Sequence, residues 1–179
     1  MIKNLFSITN SICLQTINSG GPTEQMTRSV TGRIFALAAA QDFLGVSAQK
    51  GVDVSDLVNA LVKTLAPHPA RLSVSGEGAE IPAEAATPFA LILHELGTNA
   101  LKYGAWAAET GRVSIEWVVE PPGRERQLSF EWREHDMLHV SPPVREGLGR
   151  KLILKGLPSA RVTHDLKSDG LRCRIELPL

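Results

Sequence analysis

Hydrophobic positions along this chain change period several times, and each change marks a predicted element. Ile2, Leu5, Phe6, Ile8, Ile12, Cys13 and Ile17 recur at mostly helical spacing, which predicts an amphipathic helix. Asn18-Ser19-Gly20-Gly21-Pro22 breaks it, and Thr23 is a candidate N-cap for a second helix running to about Leu44. That helix has Val30, Ile34, Leu37, Ala38 and Phe43 apolar, and Ala38-Ala39-Ala40 permits close helix approach. Two helices joined by a short loop read as an antiparallel hairpin. Alone it cannot bury both apolar faces, so it needs a second hairpin or the domain that follows.

Gly45 to Gly51 reads as a linker, and Leu57 to Leu65 as a helix with Ser55 as candidate N-cap, ended by Pro67 and Pro69. Arg71 to Val74 and Ala79 to Ile81 are short strand candidates around Gly76 and Gly78. A long helix comes next. Arg112 to Val119 then alternates Val113, Ile115, Trp117 and Val119 on one face, and Gln127 to Trp132 alternates Leu128, Phe130 and Trp132. With Pro121-Pro122-Gly123 as the turn, this pair predicts a hairpin. Glu134 to Glu146 has no period and reads as a functional lid. Gly147 to Leu157 is a helix with a glycine-rich start. Arg161 to Leu166 and Leu171 to Leu177 are strands around the tight-turn signal Asp169-Gly170. The fold class is α+β: a two-helix hairpin over residues 1–48, then a two-layer α/β sandwich over 52–179 with helices on one face of a mostly antiparallel sheet.

Composition narrows the function classes. At 179 residues, with 43% hydrophobic and 21% charged residues, the chain fits one ordinary domain with or without an appendage. Zero formal net charge points to neither a nucleic-acid nor a membrane surface. No apolar run approaches the ~20 residues that cross a bilayer. The first residues lack a signal-peptide pattern. Cys13 and Cys173 have no metal spacing, so reduced thiols in a cytoplasmic protein are the expectation.

The candidate chemistry sits in Leu91 to Trp106, LILHELGTNALKYGAW. At helical period Phe89, Ile92, Leu93, Leu96, Ala100 and Tyr103 form an oily stripe, and Glu95, Thr98, Asn99 and Lys102 form a polar one. A carboxylate can take a proton or orient a water. A carboxamide oxygen suits Mg²⁺, which prefers oxygen ligands and keeps several waters. An ammonium one turn on can neutralise phosphate. The column therefore reads as half of a nucleotide-triphosphate site or, alternatively, as a solvated face with Glu95 paired to Lys102. Propensity would not choose Gly97, Thr98 and Asn99 in mid-helix, and Gly97 leaves room beside the column, which favours the site. Gly104 just past the last turn stops the helix.

These residues also carry a resemblance. His94-Glu95-Leu96-Gly97-Thr98-Asn99-Ala100-Leu101-Lys102-Tyr103-Gly104-Ala105 resembles the N box of the HWE class of sensor histidine kinases, within the GHKL (Bergerat) ATPase superfamily. Trp132-Arg133-Glu134 matches the class's Trp-x-Glu element, and Gly147-Leu148-Gly149-Arg150-Lys151-Leu152-Ile153 resembles the second glycine box. Three motifs in the right order are far more specific than one. The resemblance implies ATP and Mg²⁺ as cofactors. It implies Glu95 as general base or water-orienting carboxylate, Asn99 as the Mg²⁺ ligand, Lys102 as a phosphate contact and Glu134 as acceptor of the adenine amino group. Tyr103 either lines the adenine pocket or is core. His94 and Trp132 mark the class and border the nucleotide, although a structural histidine and strand packing also account for them. Gly147 and Gly149 let the backbone approach phosphate, and the helix start after them presents free N–H groups.

Two places depart from the family's pattern. Its phosphoacceptor histidine lies in a His-Arg-x-Lys-Asn element, of which only Lys3-Asn4 match, so the histidine would precede residue 1. The chain is then a fragment, has a misassigned start, or cannot autophosphorylate in this form. A Gly-Gly-Pro element expected after Trp-x-Glu reads Asp136-Met137-Leu138, which could narrow the pocket. The resemblance implies a histidine kinase transmitter that passes phosphate to a response regulator receiver domain and pairs as a homodimer through its hairpin. The rival readings are a non-ATP-binding phosphotransfer adaptor or scaffold and, further off, a serine kinase of the same superfamily.

Overall fold

The computed structural model describes residues 23–46, 51–120, 126–137, 148–167 and 170–179. The predicted first helix, most of the predicted lid, Gly147 and the Asp169 turn position lie outside them. Helix α1 (Thr23–Val46) is followed by β1 (Val52–Asp53), α2 (Val54–Leu61), β2 (Leu72–Gly76), β3 (Glu80–Ile81) and α3 (Ala83–Lys102). Then come β4 (Arg112–Val119), β5 (Gln127–His135), α4 (Leu148–Lys155), β6 (Arg161–Lys167) and β7 (Gly170–Pro178). Five strands form one mixed sheet in the order β2-β4-β5-β7-β6. Only the β2–β4 pair in it is parallel.

Period-2 alternation builds the layers. Val113, Ile115 and Trp117 of β4, Leu128, Phe130 and Trp132 of β5, and Leu171, Cys173, Ile175 and Leu177 of β7 all point inward and are buried. Helix α3 lies on that face. Phe89 meets the Phe130 ring edge-on at 5.2 Å, and Trp117 stacks beside Phe130 at 6.3 Å. Such aromatic pairs add about 0.5–1.5 kcal/mol beyond burial of their area.

Several boundaries differ from the sequence reading for local reasons. The N-cap of α2 is Asp53, whose carboxylate accepts from the Ser55 amide at 2.7 Å; Ser55 is inside the helix. Strand β3 pairs with β1, a two-residue strand too short to carry a period. Strand β5 runs on to His135, so Glu134 is within the strand rather than past it. Of the three predicted close-approach alanines only Ala40 is fully buried, alongside Ala36 one turn earlier.

On the other face of the sheet, Arg133, Arg172 and Arg174 all donate to the single carboxylate of Glu131. Burial would raise the Glu131 pKa, but these hydrogen bonds outweigh it and hold the group down at about 2, against an ordinary 4.5. A depressed folded-state pKa gives stability that is present above 4.5 and lost as pH falls toward 2. Urea unfolding across that window is expected to show this loss, and Glu131→Gln to flatten it.

Candidate functional site

Helix α3 is buried almost continuously from Ala85 to Gly97, because it has a neighbour on two sides. The sheet covers one side and α1 the other. The α1 contact is antiparallel and in register. The Arg33 Nε donates to Glu95 Oε1 at 2.6 Å, and eight residues away on each helix the Gln41 Nε2 donates to the Thr87 hydroxyl at 3.2 Å. Gly32 makes the approach possible: a Cβ there would lie 2.5 Å from His94 Nε2. The small stripe Gly32, Ala36, Ala40 recurs every four residues and faces α3, as ridge-into-groove packing requires.

The polar column is therefore divided. Its upper end is closed by α1. His94 is buried against Gly32, and that burial lowers its pKa; Glu95 opposes the shift, while Arg33 and Lys102 add to it. Glu95 is paired to Arg33, not to Lys102 as the solvated-face reading would have it. The lower end is open. Asn99 is half-buried and Lys102 is exposed. Tyr103, placed by period on the oily stripe, is 68% exposed instead. The helix ends at Lys102, and Tyr103 turns away with a non-helical φ of −137°.

Gly149, in the first turn of α4, faces this column. A Cβ on it would collide with Glu95 Oε2, and the Asn99 carboxamide nitrogen lies 4.0 Å from the same point. The glycine-rich segment and the helix column, 50 positions apart in sequence, thus meet at Glu95 and Asn99. Gly97 does something else. A Cβ there would meet Leu65 Cδ1 at 2.7 Å, so this glycine makes room for a packed side chain rather than for anything beside the column.

A second cluster surrounds Glu134. This carboxylate is buried; Oε2 accepts from the Ala105 amide at 2.7 Å and Oε1 from the Trp132 indole at 3.2 Å. Burial raises its pKa, and the two donors work against that shift. Trp132 is locked in turn by an edge contact with Trp106 at 5.9 Å. Gly104 is required here by space: any Cβ would strike Glu134 Oε2. Its φ of −104° is not that of a left-handed helix cap, so the helix stop is a consequence of this contact rather than of glycine's handedness.

The loop that donates the Ala105 amide is clamped from below. Arg71 donates to the carbonyls of Gly111 and Ala105 at 2.7 and 3.0 Å and also to that of Ala108. The Trp106 indole donates back to the Arg71 carbonyl at 3.1 Å. Asp136, where the resemblance leads one to expect glycine, keeps a left-handed φ of 56° and sends its carboxylate out to Arg112 at 3.0 Å. Aspartate tolerates this backbone better than most residues. The backbone shape available to glycine is kept, and the added side chain points to an exposed partner.

Sequence reasoning missed Arg33 and Arg71. Arg33 had a signal, a charge beside small residues spaced every four. Arg71 had none, because its partners are backbone carbonyls. Among the described residues no cluster of three or more His, Cys, Asp or Glu could hold a metal.

The sequence profile of the family described as HWE histidine kinase matches residues 2–78. The chain is 30% identical over 184 residues to "Blue-light-activated histidine kinase 1" of Erythrobacter litoralis (strain HTCC2594), covering 98% of this chain and 50% of that protein. It is 29% identical to "Blue-light-activated histidine kinase" of Brucella ovis, covering 99% of this chain and 37% of that protein. The chain thus spans half or less of the length of these relatives. The fold is similar to that of the histidine kinase domain of an Erythrobacter litoralis blue-light activated histidine kinase. There the TM-score is 0.66 at 15% identity, covering 97% of this chain and 96% of that one. No helix among the described residues is long and apolar enough to cross a membrane.

Replacing Arg71 by methionine removes the clamp while keeping bulk. Three carbonyls then lose a charged donor, and Arg71→Met is expected to lower unfolding free energy by about 3 kcal/mol in urea titration.

Proposed function

We propose, from the match of residues 2–78 to the HWE histidine kinase family and the likeness to blue-light-activated histidine kinases, that the chain is the transmitter portion of a protein-histidine kinase in a two-component system. The observation that supports this best is the meeting of Gly149 with Glu95 and Asn99. It puts a side-chain-free backbone, a carboxylate and a carboxamide around one point. A triphosphate needs such a place: amide donors, a hard oxygen ligand for its metal, and a group that can orient a nucleophile.

In this reading residues 52–179 form the ATP-binding domain and residues 1–48 the helical segment through which two copies pair. Asn99 offers its carboxamide oxygen to Mg²⁺, and Lys102 and the start of α4 offset phosphate charge. Gly149 keeps that wall low. Tyr103, exposed at the end of α3, borders the adenine, and Glu134, held by Ala105 and Trp132, accepts from the adenine amino group. Glu95 orients the attacking group or takes its proton, and His94 seats α3 against α1. A Mg²⁺ ion held at Asn99 would supply charge neutralisation to the triphosphate. The γ-phosphoryl passes from ATP to a histidine nitrogen, ADP leaves, and a response regulator aspartate receives the group next. Catalysis here is mostly positioning and charge neutralisation.

A rival reading, a docking module that binds no nucleotide, draws on one observation: both Glu134 oxygens already accept protein hydrogen bonds. Each oxygen of a carboxylate keeps a second acceptor site, so these two bonds do not use up the acceptor capacity of Glu134.

Calorimetric titration with ATP and ADP, with and without Mg²⁺, separates the two. Wild type is expected to bind with Mg²⁺ dependence, and Asn99→Ala to lose that dependence while keeping residual binding. Absence of any binding by wild type at millimolar nucleotide would establish the docking module instead.

A further inference from the structure

The nucleotide-site reading gives every role to the domain after residue 52, yet the carboxylate at its centre is held from outside that domain. We infer that Arg33 of helix α1 is a positioning residue and counter-ion of the nucleotide site, so that the site is complete only while α1 is docked on α3. This inference rests on the proposed nucleotide site.

The geometry carries it. Arg33 Nε donates to Glu95 Oε1 at 2.6 Å, with side chains only 5% and 7% exposed. The other oxygen, Oε2, is the one that faces Gly149. One oxygen is thus fixed and the other aimed into the site, the arrangement in which a third group orients a base. Electrostatics points the same way. An uncompensated carboxylate beside a triphosphate repels it, and in a site shielded from water that repulsion is large. The Arg33 guanidinium cancels the charge and leaves the carboxylate's oxygen in place. A lysine at position 33 would supply the charge without the planar fork.

Docking of α1 is built for close contact at this point. Gly32 leaves the space that the His94 ring fills, so His94 and Gly32 set the depth at which Arg33 reaches Glu95. The Gln41–Thr87 bond sets the register eight residues away. A shift of α1 along or away from α3 would withdraw the counter-ion from the site. Movement of the pairing helix and competence of the nucleotide site are then coupled through one ion pair, and the coupling is reciprocal.

The test compares wild type, Arg33→Met, Arg33→Lys, Glu95→Gln and the double variant Arg33→Met/Glu95→Gln. Mg-ATP affinity is measured by calorimetry and folding by thermal melts. Arg33→Met is expected to weaken Mg-ATP binding by at least about tenfold, because Glu95 is left uncompensated. Arg33→Lys should recover part of that loss. The double variant should return to the affinity of Glu95→Gln alone, since no charge then needs an offset. Equal affinity in wild type and a folded Arg33→Met protein would overturn the inference and leave the pair a structural tie. Tighter binding by Arg33→Met would also overturn it, by showing that α1 blocks the site. Failure of all five proteins to bind would remove the nucleotide reading itself, and this inference with it.

Discussion

A carboxylate enclosed by two packed helices needs a counter-charge, and Glu95 obtains one from a helix some 60 positions earlier in the chain. Leaving such a carboxylate alone in a protein interior costs several kcal/mol, so α3 holds Glu95 buried only with a counter-charge brought to it. The glycine at position 32 and the buried histidine at position 94 allow the approach of α1 to α3 that brings those two groups to 2.6 Å. That constraint also divides the column on α3, with the upper end inside a helix–helix contact and the lower end open.

The second buried carboxylate is handled differently. Among the described residues Glu134 takes an amide and an indole hydrogen rather than a cation. Dipolar donors stabilise the anion less than a guanidinium does, and burial keeps its pKa raised. A group so held is fixed in direction without being neutralised by a full charge. In a base-binding role that has a use, since the group retains acceptor capacity for a neutral amino group. Its support runs in series: Arg71 holds the loop, the loop presents the Ala105 amide, and Trp106 braces Trp132. Each part would be ordinary packing alone, and together they fix one carboxylate.

Some glycines of the motifs serve contacts that the motif pattern does not suggest. Gly97 accommodates Leu65, and Gly104 accommodates Glu134. Only Gly149, among the described glycines of these motifs, lies where phosphate is proposed to approach. A glycine within a recognised motif records that space was needed, and only the neighbours say for what. Asp136 shows the converse: a left-handed backbone is retained after the expected glycine is gone.

Much of the architecture was readable from residue order. Strand β4 was predicted at its observed bounds, because Val113, Ile115 and Trp117 alternate without interruption and turn signals flank the run. The strong core of β5 and β7 was legible for the same reason: one periodic face meets one neighbour. Period could not resolve elements with two neighbours or with too few residues. Tyr103 fell on the oily stripe, but the stripe ends where the helix does. Strands β1 and β3 are two residues each and exist only as a pair. The identities of Glu95, Asn99 and Glu134 as candidate groups came from sequence alone, since residue type and spacing are properties of the chain. What surrounds them did not. Arg33, Arg71 and the face of Gly149 reach the site across long separations, and contacts of that kind are set by how layers pack, which no local pattern encodes.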